Sequence, residues 1–226
     1  MTRPPTERTR VHRHPERATY DRRAIDAILD EALTCDVAWV DPEGRPRVLP
    51  TIHARVGDTL YLHGSRAARP WKALRDGVEV AVSATIVDGL VLARSAFAHS
   101  MNYRSAVVYG RAREVTDPAE LLVAARAITD HVAPGRAEDA RMPTPEEYRQ
   151  TLLLALPIEE ASAKVRTGPP KDEDEDLPLP IWAGVLPLRT AGGEPEPAPD
   201  LADGIGVPPY VRAYRRPGPD AGPAPR

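Results

Sequence analysis

One cysteine and one phenylalanine are all that the 226 residues hold of those two types, and aromatic residues together make up only 5%. The lone Cys35 excludes an internal disulfide framework and any metal site built on paired cysteines. So few rings point to an aliphatic core. Neither sign of charge dominates: 30 Lys and Arg stand against 33 Asp and Glu, for a formal charge of −3. Nothing in that balance marks a polyanion such as nucleic acid as a partner. Long hydrophobic runs are missing too. The longest uncharged apolar stretch, Thr151 to Ile158, falls far short of the ~20 residues that span a bilayer. No charged-then-apolar leader with a small-residue cleavage site opens the chain. A cytoplasmic protein with no membrane segment is the expectation. Glycines are never spaced GxGxxG after a strand, there is no P-loop or nucleophile elbow, and the histidines show no HExxH spacing.

What the chain has is proline and short apolar runs. Its 26 prolines imply much irregular structure. Between 35 and 116, six β-rich segments follow one another. Cys35 to Val40 alternates, Asp41-Pro42-Glu43-Gly44 turns, and Arg47 to Val56 extends up to Gly57-Asp58. Leu60 to His63 is the next strand. Val78 to Ile86 alternates over a longer stretch, Asp88-Gly89 supplies a tight hairpin signal, and Leu90 to Phe97 returns. Ser105 to Val115 closes the series. Closely spaced hairpins predict a mainly-β fold, an antiparallel barrel or sandwich with flanking helices.

Helices frame this β region. Asp21 caps an amphipathic helix carrying Ile25, Ile28, Leu29, Ala32 and Leu33. Asp117-Pro118 opens a helix through Val132 that Pro134-Gly135 stops. Thr144, Pro145 and Glu147 form a capping box for another, predicted to run through Leu156. Ile158 to Thr167 and Ile181 to Leu186 read as late strands, separated by an acidic loop. Residues 1–20 read as a basic arm, with His12 and His14 solvated. Residues 21–188 form the predicted domain, with a helical insert at 118–156. Residues 189–226 are a Pro/Gly-rich tail, docked at 205–214 and disordered from Arg215.

Three stretches concentrate side-chain chemistry. In Leu60 to Leu74, Ser65, Arg66 and Arg69 follow a strand end and Pro70 opens a helix, a combination suited to a phosphate or to a plain surface turn. In Arg47 to His53, Pro50 removes a ladder donor, which makes this an edge or interrupted strand with backbone groups free for a planar ligand. Ser95 to Ser105 packs polar and aromatic groups between two apolar strands. The run Asp172 to Asp176 reads as a solvated acidic loop rather than a cation site. Residue chemistry alone leads to a β-rich binding domain with a candidate anion-binding loop.

Taken in order, RVLPTIHA, LYLHGSRAAR, LVLARSAFAHSMNYRSAVVYGRA, SAKVRTGPP and IWAGVLPL resemble the flavin-binding split-barrel superfamily. Within it the chain is similar to the pyridoxamine 5′-phosphate oxidase-like flavin-nucleotide-binding proteins, which include the nitroimidazole-resistance Nim proteins. The resemblance implies a six-stranded antiparallel Greek-key barrel and a homodimer with FMN in clefts between subunits. It places Arg47, Leu49, Pro50, Thr51 and Ile52 along the flavin, Leu62 and His63 beside the ring, and Ser65, Arg66 and Arg69 at the phosphate. Arg104 and Ser105 match a polar pair near the flavin, and His63 matches a histidine of the Nim active-site cleft, which makes it the candidate catalytic residue. Thr51-Ile52, Pro70 and the Ala183-Gly184-Val185 that follows Trp182 depart from the true oxidases and argue against vitamin B6 oxidation. The function implied is an FMN-dependent oxidoreductase acting on a small molecule, by nitro or quinone reduction or amine oxidation. The alternatives are a haem-binding or haem-degrading barrel with His63, His53 or His99 as axial ligand, and a flavin module without turnover.

Overall fold

The computed structural model describes residues 6–216. The arm is laid on the body: Ala18–Thr19 (β1) adds a short strand to the sheet, and Thr9 is buried. Asp21 accepts from the Arg23 amide and starts α1 (Arg22–Glu31), which buries Ile25, Ile28 and Leu29 along one face. Next come β2 (Cys35–Val40) and β3 (Pro46–Thr51), paired with Val37 opposite Leu49. Pro50 sits on β3, at the sheet edge, where a missing N–H is tolerated. The chain breaks at Ile52 and enters a second sheet as β4 (His53–Val56) and β5 (Thr59–Ser65). After α2 (Arg69–Arg75), β6 (Glu79–Leu92) and β7 (Ser100–Arg111) form a long hairpin, and Ala112 leads into β8 (Arg113–Glu114).

The helices α3 (Pro118–Val132), α4 (Arg136–Asp139) and α5 (Pro145–Gln150) precede β9 (Thr151–Pro157) and β10 (Glu160–Arg166). Strand β11 (Gly184–Pro187) and the single turn α6 (Pro209–Arg212) complete the described chain. The large sheet runs β1-β10-β7-β6-β2-β3 with β11 added to β6, and the small one runs β4-β5-β9-β8. Every pairing described is antiparallel. The fold is mainly β: a split barrel whose two sheets are joined where the chain crosses at Ile52, through α2, at Ala112 and between β9 and β10, with helices flanking it.

The core is aliphatic, as the composition implies. Leu60, Leu62, Leu152, Leu154 and Leu156 meet Val37, Val80, Val82, Val108 and the α1 face inside the barrel. The opposite face of the small sheet carries Ala54, Tyr61, Leu153 and Ala155, covered by Ala124 and Ile128 of α3. Alternation along β5 and β9 therefore feeds two cores at once.

Four local expectations need correction. Asp88-Gly89 makes no hairpin: β6 runs through it with a register shift between Val87 and Gly89, and the chain reverses after Leu92 instead. There Leu186 and Pro187 of β11 pair with Leu90 and Gly89, and a Cβ at Gly89 would lie 3.0 Å from the Leu186 carbonyl oxygen, a tight contact. The helix opened by Thr144 ends at Gln150, because Thr151 to Pro157 is a strand paired on both sides. A run of leucines buried on both faces reads alike in helix and central strand. The last strand spans Gly184–Pro187 rather than Ile181 to Leu186. The tail is anchored beyond Arg215: Arg216 donates from Nη2 to the Asp30 carbonyl and from Nε to that of Glu31, each at 2.9 Å. The rest of the tail expected to be disordered, residues 217–226, lies outside the described residues. No described helix is long and apolar enough to cross a membrane.

Candidate functional site

The expected phosphate turn forms where β5 ends. The Ser65 carbonyl accepts from the Ala68 amide at 3.1 Å, and the next residue begins α2. Arg66 is turned away, with Nη2 2.6 Å from Glu114 Oε1. The Ser65 hydroxyl and the exposed Arg69 guanidinium have no partner among the described residues, so these two are free to meet a ligand. The turn is braced from below by Trp71, which packs so closely that a Cβ on Gly64 would lie 2.0 Å from its ring.

Strand alternation separates Leu62 from His63. Leu62 is fully buried in the barrel core, whereas the resemblance places it beside a flavin ring. His63 takes the other face, opposite Leu153, and is half-buried with Nδ1 unpartnered. Burial pushes its pKa down, which keeps the imidazole neutral.

The β3 residues spread out. Arg47 is held by Asp41, with Nε 2.9 Å and Nη2 2.8 Å from Oδ2. Leu49 packs against the barrel core, Ile52 against the outer cluster under α3, Pro50 is exposed and Thr51 half-buried. Arg104 faces α1. Its Nε lies 2.9 Å from Asp88 Oδ2 and its Nη2 2.8 Å from Glu31 Oε1, so the guanidinium is saturated by two carboxylates. Ser105, on the other face, meets the Lys164 carbonyl at 3.5 Å. The structure thus brings Ser65, Arg69 and His63 to one strand end and leaves Arg47, Leu62 and Arg104 in separate surroundings.

A second site was not legible as a unit in the sequence. A cavity of about 550 Å3 opens between the arm, the loop joining β6 to β7, and the start of β7 with the end of β10. Its walls carry Arg13, Arg17, Lys164, Arg166 and Lys171, together with His14, Phe97, His99 and Tyr103, and no carboxylate among the described residues. In a chain of net charge −3, that is a strong local concentration of positive charge. Arg166 is 7% exposed, and among the described residues its partners are neutral acceptors: Asn102 Oδ1, the Gly168 carbonyl at 3.3 Å and the Pro169 carbonyl at 3.2 Å. Burial, with Arg17 nearby, lowers its pKa.

The loop that carries His99 is pinned from below. Asp172, whose side chain is 2% exposed, accepts from the Arg94 amide at 2.7 Å and the Ser95 amide at 3.4 Å, and meets Arg94 Nη1 at 2.9 Å. Burial works against ionising Asp172, but these donors outweigh it and hold the carboxyl below its ordinary range. The expectation that the acidic run is solvated fails at Asp172. Only the alternation of Lys164 and Arg166 on a strand signalled any of this, by placing two cations on one face.

Comparison with known proteins follows the same outline. The family model described as "Pyridoxamine 5'-phosphate oxidase" matches residues 21–165. A search of curated proteins gives no significant match. Among solved structures, the flavocytochrome Anf3 from Azotobacter vinelandii is 38% identical with a TM-score of 0.87, over 95% of this chain and 100% of its own. The FAD and haem binding protein from Mycobacterium smegmatis is 40% identical with a TM-score of 0.83, over 88% of this chain and 98% of its own. A candidate 5-nitroimidazole antibiotic resistance protein from Bacteroides thetaiotaomicron is 25% identical with a TM-score of 0.56, over 66% of this chain and 86% of its own. This chain belongs to the pyridoxamine 5′-phosphate oxidase-like family of split barrels.

Proposed function

We propose that the protein is a homodimeric redox protein that binds a flavin nucleotide and a haem and passes electrons to a small-molecule acceptor. The observation that carries this reading is the presence of two separate cationic sites. One is the Ser65–Arg69 turn, with free hydroxyl and guanidinium donors beside neutral His63. The other is the carboxylate-free cavity at Arg166. One phosphate-bearing cofactor needs one such site; a second site suits a second anionic group. The two relatives that match most of this chain, at 38% and 40% identity, are a flavocytochrome and a protein that binds both FAD and haem.

When bound, the flavin supplies hydride and electron transfer and the haem supplies one-electron chemistry. The chain's own residues have other tasks. Arg69 and Ser65 offer donors to a flavin phosphate, while His63, whose pKa burial lowers, stands half-buried on the outer face of β5. The dimer reading draws on the outer face of the large sheet, where Ala38, Ala81, Ser83 and Thr85 leave a shallow surface. Val40, Val48 and Val87 are exposed around it, three apolar side chains that a second subunit would cover.

An absorption spectrum of the purified protein tests the core of the proposal. Flavin bands together with a Soret band support it, and a colourless protein that takes up neither added flavin nor added hemin sinks it. Acid extraction and mass spectrometry separate FMN from FAD. Light scattering at micromolar concentration reads the dimer, and a monodisperse monomer with cofactor bound refutes it.

A further inference from the structure

We infer that the cavity at the tip of the β6–β7 hairpin binds a freely exchanging nucleotide with two or more phosphate groups, its phosphates on Arg166 and the neighbouring cations and its base on Phe97. This shares with the proposed function only one premise, that the cavity seats an anion other than the flavin's phosphate. It holds whether or not the protein also carries haem.

The cations are gathered here at a cost. Pairing of β1 with β10 sets Ala18 opposite Lys164, which carries Arg13 and Arg17 of the arm to a strand from the far end of the domain. Lys164 and Arg166 alternate on β10 and so share a face. Like charges repel, most strongly out of water. Among the described residues Arg13, Lys164 and Lys171 have no anionic partner. Arg17 has a loose one, Glu16 Oε1 at 3.7 Å, an oxygen that also meets His14 Nδ1. Asp172, next to Lys171, is spent on Arg94.

A solvated charged face does not account for Arg166. Its side chain is buried on neutral acceptors while Arg17 repels it. A buried charge without a counter-charge is destabilising, and an arriving anion removes that penalty. Five cations on one wall call for an anion of more than one charge. A diphosphate supplies it, and guanidinium forks match phosphate geometry.

The rest of the wall suits a base and a sugar. Phe97 is 94% exposed although it is the chain's only phenylalanine. A base laid on that ring would cover it, and stacking of this kind uses the flat face that every base has. His99 donates from Nδ1 to the Ser95 carbonyl at 2.8 Å, which leaves Nε2 as an acceptor for a sugar hydroxyl. The loop is set in advance: the Ser95 carbonyl also accepts from the Ala98 amide at 3.3 Å, and buried Asp172 holds the Ser95 amide. The volume, about 550 Å3, lies within the usual range of roughly 300–1,000 Å3 for small-molecule pockets. The Ser65–Arg69 turn is a separate place, since it follows β5 of the small sheet while the cavity is built on β7 and β10 of the large one.

The test is calorimetric titration of the full-length protein, with the cofactors it purifies with, by ADP, inorganic pyrophosphate and adenosine at low salt. The wild type is expected to bind ADP more tightly than pyrophosphate, to give no heat with adenosine, and to lose affinity for both anions as salt is added. Arg13→Gln/Lys171→Gln changes two exposed side chains and spares the buried guanidinium. It should bind both anions about tenfold more weakly or worse, with flavin and haem content unchanged. Phe97→Ala should weaken ADP about tenfold and leave pyrophosphate as it was. A wild type that takes up neither ADP nor pyrophosphate overturns the inference, even where its spectrum shows flavin and haem. Equal affinity for ADP and pyrophosphate, or full ADP affinity in Phe97→Ala, overturns the nucleotide assignment. Loss of flavin or haem from Arg13→Gln/Lys171→Gln gives the cavity to that cofactor instead. A colourless protein that still binds ADP as described sinks the proposed function and upholds this site.

Discussion

The imidazoles of His53 and His131 meet with ring centroids 4.6 Å apart and planes inclined at 48°, under the C-terminal end of α1. Both cap that helix. Its carbonyls from Leu29 to Ala32, which have no partner within a helix end, accept in turn from His53, from Arg216 twice, and from His131. One strand, one distant helix and the C-terminal tail thus converge on one helix end.

That convergence predicts a pH dependence. Burial, then the repulsion of His53 and Arg216, pushes the pKa of His131 down from 6.5 to about 4. Between those values the unfolded chain binds more protons than the folded one, so stability falls as pH drops. Stability should be full above pH 6.5 and decline toward pH 4, by up to about 3 kcal/mol for a shift of that size. His131→Gln keeps a donor for the Ala32 carbonyl and should flatten the slope. Urea denaturation from pH 4 to 7.5 measures it, and an equal slope in the variant would exclude His131 as its source.

Gly64→Ala should destabilise the barrel by about 1–3 kcal/mol, the usual penalty for overpacking. The added methyl would overlap the Trp71 ring, and Trp71 is itself buried in the core. Thermal unfolding with tryptophan fluorescence checks this. An unchanged melting temperature would mean that Trp71 has another place to go.

Arg104 is a structural cation. Arg104→Met leaves Glu31 and Asp88 facing each other without their partner, and should cost about 3–5 kcal/mol. Glu31→Gln removes only one of the two carboxylates and should cost less. Should Arg104→Met instead fold normally but lose flavin, the residue belongs to the cofactor site after all.

Arg69→Ala should weaken a phosphate-bearing flavin about ten- to hundred-fold, the value of a lost charged hydrogen bond of roughly 1.5–3 kcal/mol. Riboflavin, which lacks the phosphate, should bind the variant and wild type alike. Fluorescence quenching titrations with both ligands decide it, and equal losses would move the phosphate elsewhere.

Strand alternation, caps and turn residues were legible because they are local. Asp21, Asp117 and Thr144 cap helices as their positions imply, and β2 spans the residues its alternation marks. Where a pattern is compatible with two environments, the sequence could not choose. The Thr151 to Pro157 run became a strand because sheet partners on both sides bury it, and Asp88-Gly89 stayed inside a strand because a segment almost a hundred residues later pairs there. Of the site, the sequence placed Ser65 and Arg69 on one turn, since neighbours in a turn stay neighbours in space. It could not tell that Arg104 is spent on Glu31, that the Asp172 side chain is buried, or that Arg13 of the arm and Arg166 of a late strand share a cavity with His99. Those are facts of packing between segments far apart in the chain. Side-chain type and spacing fix which contacts are open to a residue, and tertiary structure decides which one it makes.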